Sequence, residues 1–289
     1  MDDFSQNYVS VNRVFTPGIF ALHSWASMTP KTLILRTAGT NCDKETAHAF
    51  ELAGSTCDCV HINRILDNPK LLEPYAIAAF PGGFSYGDDI AAGRILANQI
   101  VNHLKDAFAR FIGAGKPIIG ICNGFQVLVK TELLPGPLAG KTGQTCTLTN
   151  NDCARFVDRW INLASVSDKC IWTRGLAPFE LPIAHGEGKF VPGSEVIRKA
   201  LWNGNQVAMV YAKLDGSPAQ GDTAFNPNGS IDDIAGICDS SGLVFGLMPH
   251  PERFVDATQH YAWTRKPKLQ QPAPGLAVFR NAVEFAKKS

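Results

Sequence analysis

The amino-acid sequence predicts an α/β fold in which a mostly parallel β-sheet is flanked by helices on both faces. Short apolar runs of strand length alternate with segments of helical periodicity through the first half of the chain, which is the pattern of repeated β-α-β units. Turn residues follow the apolar runs, as Pro81-Gly82-Gly83 follows Phe80. The second half contains β-rich segments, so additional strands are expected there.

The first half supplies four predicted strands and three predicted helices. A helix that Asn41 or Asp43 caps and Gly54 ends separates the first two strands. One long helix with an apolar stripe over residues 96–111 separates the third strand from the fourth, and a helix over residues 125–131 follows the fourth. The predicted strands are residues 32–35, 56–62, 76–80 and 117–121.

In the second half of the chain, turn residues separate the predicted elements at less regular intervals. Residues 215–233 are rich in Gly, Pro, Asn and Asp, which predicts a long surface loop or hairpin. A final helix is expected over residues 275–287, and the expected β-like runs are residues 144–148, 156–163, 170–173, 207–213 and 243–248. Residues 1–28 have scattered aromatics and no period, so we interpret them as an N-terminal extension, disordered or outside the functional protein. Residues 29–289 are expected to form one domain.

Composition excludes several classes of function. The 289 residues are 45% hydrophobic, which supports a substantial core. The 27 basic and 26 acidic residues nearly balance, which argues against nucleic acid as the main partner, and no apolar run is long enough to span a membrane. The eight cysteines include no C-x-x-C pair, and no signal peptide is recognised. These features predict reduced thiols, a cytoplasmic protein and no metal site.

The most informative segment is Gly120-Ile121-Cys122-Asn123-Gly124, which joins the fourth predicted strand to a helix. This spacing is typical of a nucleophile elbow, in which flanking glycines permit a sharp turn and expose the side chain at its tip. A helix N-terminus also favours the thiolate form of cysteine. The motif alone leaves an alternative equally open, because free cysteines are commonly small buried hydrophobes.

Two further segments supply partners for a cysteine nucleophile. His250 and Glu252 follow the predicted strand at residues 243–248, where His250 can act as a base that Glu252 orients. Backbone amides near Gly83 and of Asn123 are candidate donors to an oxyanion. Each segment alone has a simpler interpretation: a surface histidine beside an unrelated glutamate, and an ordinary tight turn after a strand.

Taken together, this order of motifs resembles the class I (triad) glutamine amidotransferases, whose fold is flavodoxin-like. Within that class the sequence is similar to the glutaminase subunits of phosphoribosylformylglycinamidine (FGAM) synthase. The similarity extends over nearly all of residues 29–289 and excludes residues 1–28. The segments that carry it, besides the elbow and the His250 segment, are residues 35–43 (LRTAGTNCD), 80–88 (FPGGFSYGD), 184–188 (AHGEG) and 226–230 (NPNGS).

The resemblance implies a role for each candidate residue. Cys122 attacks the side-chain amide of glutamine, His250 transfers the proton and Glu252 holds His250. Gly83 and Asn123 stabilise the oxyanion. The expected substrate contacts are Gly82, Phe84, Gln126, His185 and Gly186. For His185 an alternative remains open, because a histidine before Gly-Glu-Gly can equally brace a turn.

The resemblance also implies partners. Ammonia passes to a large synthetase subunit, which carries ATP and Mg²⁺, and a small third subunit completes the complex. No cofactor is expected in this chain: the segment at residues 136–142 (GPLAGKT) is one residue short of a P-loop and is interpreted as a loop. Two alternatives remain: another Cys-His-Glu hydrolase on the same fold, such as a peptidase or γ-glutamyl hydrolase, and a non-catalytic assembly subunit.

Overall fold

The computed structural model describes residues 29–265 and 272–289, so the predicted extension over residues 1–28 lies outside the described residues. Nine strands form one sheet in the order β2-β1-β3-β4-β11-β10-β9-β6-β7, and β5 pairs with β8 in a separate two-stranded antiparallel sheet. The strands are β1 Lys31–Arg36, β2 Thr56–His61, β3 Ile77–Phe80, β4 Ile118–Ile121, β5 Cys146–Thr149, β6 Val157–Ser165, β7 Phe179–His185, β8 Lys189–Pro192, β9 Val207–Ala212, β10 Ile234–Cys238 and β11 Val244–Leu247.

The sheet has a parallel half and an antiparallel half. Strands β2, β1, β3, β4 and β11 run parallel. The inner strands β3, β4 and β11 are buried along their whole length, as expected for strands that are covered on both faces, whereas the edge strand β2 (TCDCVH) is mostly exposed or half-buried. Strands β10, β9, β6 and β7 extend the same sheet with antiparallel pairing. The predicted α/β class is therefore confirmed, and the β-rich second half continues the sheet.

Helices cover the parallel half on opposite faces. The helices of the described residues are α1 Asp43–Leu52, α2 Ile62–Asp67, α3 Arg94–His103, α4 Lys105–Gly113, α5 Asn123–Lys130, α6 Glu195–Asn203 and α7 Pro274–Ala286. Of these, α6 contacts β8 of the two-stranded sheet. The chain moves outward from β1 to β2 and then back through β3 to β4, and right-handed crossovers in opposite directions place their helices on opposite faces. On one face, Phe50 of α1 packs edge-to-face on Phe279 of α7 at 4.9 Å between ring centroids. On the other face, Phe80 of β3 contacts Phe108 of α4 at 5.4 Å.

The structure corrects three of the sequence predictions. The first helix is capped by Cys42, which makes no side-chain capping bond, instead of by Asn41 or Asp43. The predicted long helix is two helices, because the backbone leaves helical geometry at the buried Leu104 (φ −125°, ψ 2°). The predicted strand at residues 170–173 is a turn, which Trp172 anchors by donating from its indole nitrogen to the Leu243 carbonyl at 2.8 Å.

Other segments agree with the predictions or add to them. Residues 136–142 form a turn ahead of β5 and not a strand-to-helix loop, as the short glycine spacing predicts. The segment at residues 215–233 is a turn-rich loop, although Asn226 and Asn228 within it are buried and hydrogen bonded. Strands β7, β8 and β10 and helices α2 and α6 were not predicted. Over residues 29–265 and 272–289, no helix combines the length and the apolarity that a membrane span requires.

Candidate active site

Cys122 occupies the tip of a strained turn between β4 and α5. Its backbone dihedrals (φ 52°, ψ −105°) lie in a region that L-residues rarely adopt, which is characteristic of functional turns. A methyl group on Gly124 would overlap the carbonyl oxygen of Phe80, and one on Gly120 would lie 2.6 Å from the carbonyl oxygen of Gly124. Both glycines are therefore required for the close approach of helix and strand.

We expect Gly124→Ala to destabilise the fold by on the order of 3 kcal/mol, because the added methyl group meets backbone that cannot move aside. The midpoint of denaturant unfolding measures this effect. Gly113→Ala is the matched control, since a methyl group there has no neighbour within 4 Å and should change stability by less than about 1 kcal/mol. Equal stability of the two variants would contradict this account of the turn.

His250 lies beside the cysteine because the strands that carry them are neighbours. Leu247 of β11 pairs with Ile121 of β4, and the amide of Cys122 donates to the carbonyl oxygen of Leu247 at 2.8 Å. The amide of His250 donates to the carbonyl oxygen of Pro182 at 2.9 Å, which fixes the segment after the strand. Parallel register thus brings together two residues that are far apart in sequence.

Glu252 and His250 form a buried pair, with 2.6 Å between Oε1 and Nδ1. Burial lowers the pKa of His250, but the negative charge of Glu252 and the nearby Cys122 thiol raise it, and the net pKa lies well above its usual value. The other ring nitrogen, Nε2, is buried and has no hydrogen-bond partner among residues 29–265 and 272–289. The pair therefore favours an imidazolium whose Nε2 is free for proton transfer.

Cys42 belongs to the same cluster, although the sequence analysis gave it no role beyond that of a reduced thiol. Its Sγ accepts a hydrogen bond from the guanidinium of Arg253 at 3.2 Å and donates to Oδ1 of Asn41 at 3.2 Å. The possible ligand atoms of Cys42, His250 and Glu252 lie within 4.8 Å of one another. The adjacent guanidinium charge opposes a metal cation there, so the cluster suits proton transfer better, and the absence of a metal stays a prediction.

Two backbone N–H groups are available near the cysteine. Gly83 forms an antiparallel bridge with Thr40, and the bonds of that bridge come from the flanking amides of Asn41 and Phe84. Within the described part of the chain, the Gly83 N–H makes no hydrogen bond, and neither does that of Asn123, the first residue of α5. Gly83 has φ +142°, and a methyl group there would lie 2.6 Å from the Gly39 carbonyl oxygen.

A cavity of about 230 Å³ opens in front of Cys122. Five of the seven predicted substrate and oxyanion residues line it. Gly82 lies against the His250 ring, and neither Gly82 nor Asn123 is part of the cavity wall. The role of Gly82 as a substrate contact stays a prediction. The residues that line the cavity are Gly83, Phe84, Asp88, Ala92, Cys122, Gln126, Phe156, Ala184, His185, Gly186 and Glu187.

A chain of hydrogen bonds runs along one wall of this cavity. The side-chain amide of Asn123 accepts from the Ser85 N–H at 3.2 Å and donates to Oδ1 of Asp88 and Oε1 of Gln126, both at 3.1 Å. Gln126 in turn donates to the Glu187 carbonyl oxygen at 2.6 Å. These bonds fix α5 against the segment after β7 and against the segment after β3.

His185 is held by Asn151 on the far side of the cavity. Its Nδ1 lies 3.2 Å from Oδ1 of Asn151, which also accepts from the Gly188 N–H at 3.0 Å, and a methyl group on Gly188 would overlap the imidazole. Burial, aided by the charge of His250, lowers the pKa of His185 to about 3, so this ring is neutral. The contacts match the bracing interpretation, and ligand binding by His185 stays a prediction.

The arrangement has the parts that acyl transfer from an amide requires. It combines a cysteine at a helix N-terminus, an imidazole held by a buried carboxylate, and two unbonded N–H groups near a cavity that the cysteine lines. Sequence reasoning missed Cys42 and Asp88. Both lie in segments just after the carboxyl ends of β1 and β3, which was the one signal that could have pointed to them.

Comparison with known proteins gives matches over nearly the same residues. The CobB/CobQ-like glutamine amidotransferase domain matches residues 29–286. The phosphoribosylformylglycinamidine synthase subunit PurQ of Dehalococcoides mccartyi is 51% identical over 259 residues, covering 89% of this chain and 98% of the relative. The PurQ subunit of Methanococcus maripaludis strain S2 is 40% identical and covers 90% and 98%. A chain of PurLQS from Thermotoga maritima superimposes with a TM-score of 0.66 at 30% identity, covering 89% and 99%.

Proposed function

The chain belongs to the family of CobB/CobQ-like glutamine amidotransferases, and we infer that it is the glutaminase subunit of FGAM synthase. It hydrolyses glutamine to glutamate and ammonia for purine biosynthesis. The observation that carries this conclusion is the placement of Cys122 beside the buried His250–Glu252 pair, in a chain 51% identical to a PurQ subunit.

The first half of the proposed mechanism forms a thioester. The Cys122 thiolate attacks the side-chain carbonyl carbon of glutamine, and the carbonyl electron pair moves onto the oxygen. The N–H groups of Gly83 and Asn123 bind this oxyanion. As the oxyanion collapses, the carbon–nitrogen bond breaks, and the departing nitrogen takes the proton that His250 holds on Nε2. Ammonia leaves, and a glutamyl thioester remains on Cys122.

The second half reverses these roles with water in place of the amine. Nε2 of His250, now unprotonated, accepts a proton from water as the water oxygen attacks the thioester carbonyl. The carbon–sulfur bond then breaks, glutamate is released and the thiolate returns. Glu252 keeps the imidazole oriented through both halves, because its Oε1 holds Nδ1 at 2.6 Å. The oxyanion donors act in both tetrahedral intermediates.

We extend the proposal to the assembly. The name of the Thermotoga structure, PurLQS, describes a complex, and we propose that this chain delivers ammonia to a large synthetase subunit with a small third subunit present. ATP and Mg²⁺ belong to the large subunit in this proposal, and the complex is cytoplasmic. We also propose that residues 29–289 act as one amidotransferase domain, since strands from both halves of the chain join one sheet.

Substrate choice tests the function directly. The chain, assembled with a synthetase partner, should release one glutamate for each FGAM formed from glutamine and ATP. It should not cleave peptides or polyglutamates, which distinguishes it from the alternative hydrolases on the same fold. Cleavage of polyglutamates in preference to free glutamine, or FGAM formation without glutamate release, would contradict the proposal.

A further inference from the structure

A carboxylate that no catalytic step uses lies in the wall of the active-site cavity. Asp88 follows β3 and has a left-handed backbone (φ 53°), and its side chain is partly buried beside the cavity that Cys122 lines. Two donors hold it: the Gly93 N–H at 3.0 Å and the side-chain amide of Asn123 at 3.1 Å. The carboxylate is therefore fixed in place before any ligand arrives.

Both of these donors bind the same oxygen, Oδ1. Over the described ranges no hydrogen bond is made to Oδ2, so half of the carboxylate remains available to a ligand in the cavity. Burial and the charge of Glu187 raise the pKa of Asp88, whereas its two donors and Lys130 act in the opposite direction. A cation bound at Oδ2 would offset the cost of keeping this partly buried carboxylate charged.

The charged side chains of the cavity wall favour a cationic group on the ligand. The side chains in the wall include two carboxylates, Asp88 and Glu187, and no lysine or arginine among the described residues. Glu187 is close enough to Lys130 to act on its pKa, so part of its charge is balanced from outside the wall. Asp88 is the better fixed of the two carboxylates, and it is hydrogen bonded to Asn123, the residue that follows Cys122.

We propose that Asp88 binds the α-ammonium group of the glutamine substrate and thereby makes the site specific for an α-amino acid amide. This assignment rests on the proposed glutaminase function. Asn123 couples the two ends of the site, because its backbone N–H is the proposed oxyanion donor while its side chain holds Asp88. Binding of the ammonium at one end thus supports the position of the oxyanion donor at the other.

Paired substrates that differ only in the α-ammonium group test the proposal. Glutamine is compared with glutaramate, which has a hydrogen in place of the amino group, and ammonia release is measured with the assembled synthetase. Asp88→Asn keeps an acceptor for Gly93 and Asn123 but removes the charge. Asp89→Asn is the matched control, because the neighbouring Asp89 is exposed and outside the cavity wall. Glu187→Gln tests the other carboxylate.

For Asp88→Asn we expect kcat/KM for glutamine to fall about 10- to 100-fold, the range of a lost hydrogen bond to a charged group. The kcat/KM for glutaramate should stay unchanged, so the preference for glutamine disappears. Product inhibition supplies a second readout that needs no turnover: the variant should weaken inhibition by glutamate and leave inhibition by glutarate unaltered. Asp89→Asn should behave as the wild type in both assays.

Three outcomes would overturn the inference while leaving the glutaminase function intact. The first is an equal fall in kcat/KM for glutamine and glutaramate in Asp88→Asn. The second is a loss of the preference for glutamine in Glu187→Gln instead of in Asp88→Asn. The third is a wild-type enzyme that does not prefer glutamine to glutaramate. A wild-type complex that releases ammonia from neither substrate would instead contradict the proposed function itself. The assay therefore separates the two failures.

Discussion

Replacement of Cys122 by alanine is expected to lower glutamine-dependent FGAM synthesis by about 10⁴-fold or more, because no other group can form the glutamyl thioester. Ammonia-dependent synthesis by the same complex should remain near the wild-type rate. The synthetase step needs ammonia and not the thioester, and alanine removes only the sulfur from a nearly buried position. Both rates are measured on one preparation, with glutamine or an ammonium salt as the nitrogen source.

Cys59→Ala serves as the control for this variant. Cys59 is exposed on the edge strand β2, and β1 and β3 separate that strand from β4, which leads to Cys122. It should retain both activities. If the Cys122→Ala complex used glutamine at the wild-type rate, the assignment of the nucleophile would be wrong. Loss of both activities would show that Cys122 is needed for assembly, and would contradict the assignment of a purely glutaminase role.

Replacement of Glu252 by glutamine is expected to have the second-largest effect, a fall of about 10²- to 10⁴-fold in glutamine-dependent kcat/KM. Burial lowers the pKa of His250, and Glu252 is the largest influence that raises it. Without the carboxylate, burial dominates and the pKa of His250 falls. The imidazolium that protonates the departing amide nitrogen is then present only at lower pH, and the neutral amide no longer selects the productive tautomer.

The pH profile separates this effect from simple loss of packing. The alkaline limb of the kcat/KM profile, where His250 loses its proton, should move to lower pH in Glu252→Gln. Glu284→Gln, on the exposed side of α7, is the control and should leave the profile unchanged. An alkaline limb at the wild-type position in Glu252→Gln would mean that Glu252 does not set the proton affinity of His250.

The sequence located Cys122 and His250 because each stands in a short segment that can be recognised locally. A strand, two glycines and a helix define the elbow. The second glycine is required because a methyl group at Gly124 would collide with the carbonyl oxygen of Phe80. The pairing of β4 with β11 was not predictable in the same way. It depends on a parallel register between strands more than 100 residues apart.

The unpredicted parts of the site depend on contacts between distant residues. Arg253 lies 211 positions from Cys42, and Asn123 lies 35 positions from Asp88, so no local pattern shows that these side chains meet. The break at Leu104 was missed for a different reason. Its burial is continuous with the apolar stripe on either side, and no glycine or proline marks the change of direction.

Mapping the site of a covalent label tests the central claim most directly. The wild-type complex is treated with an alkylating analogue of glutamine, and the eight cysteines are separated by peptide mass spectrometry. The account predicts one adduct, on Cys122, that excess glutamine prevents. Cys42 is the sharpest internal control, because its thiol also lies beside His250. A label on Cys42, or a label on Cys122 that glutamine does not prevent, would contradict the account.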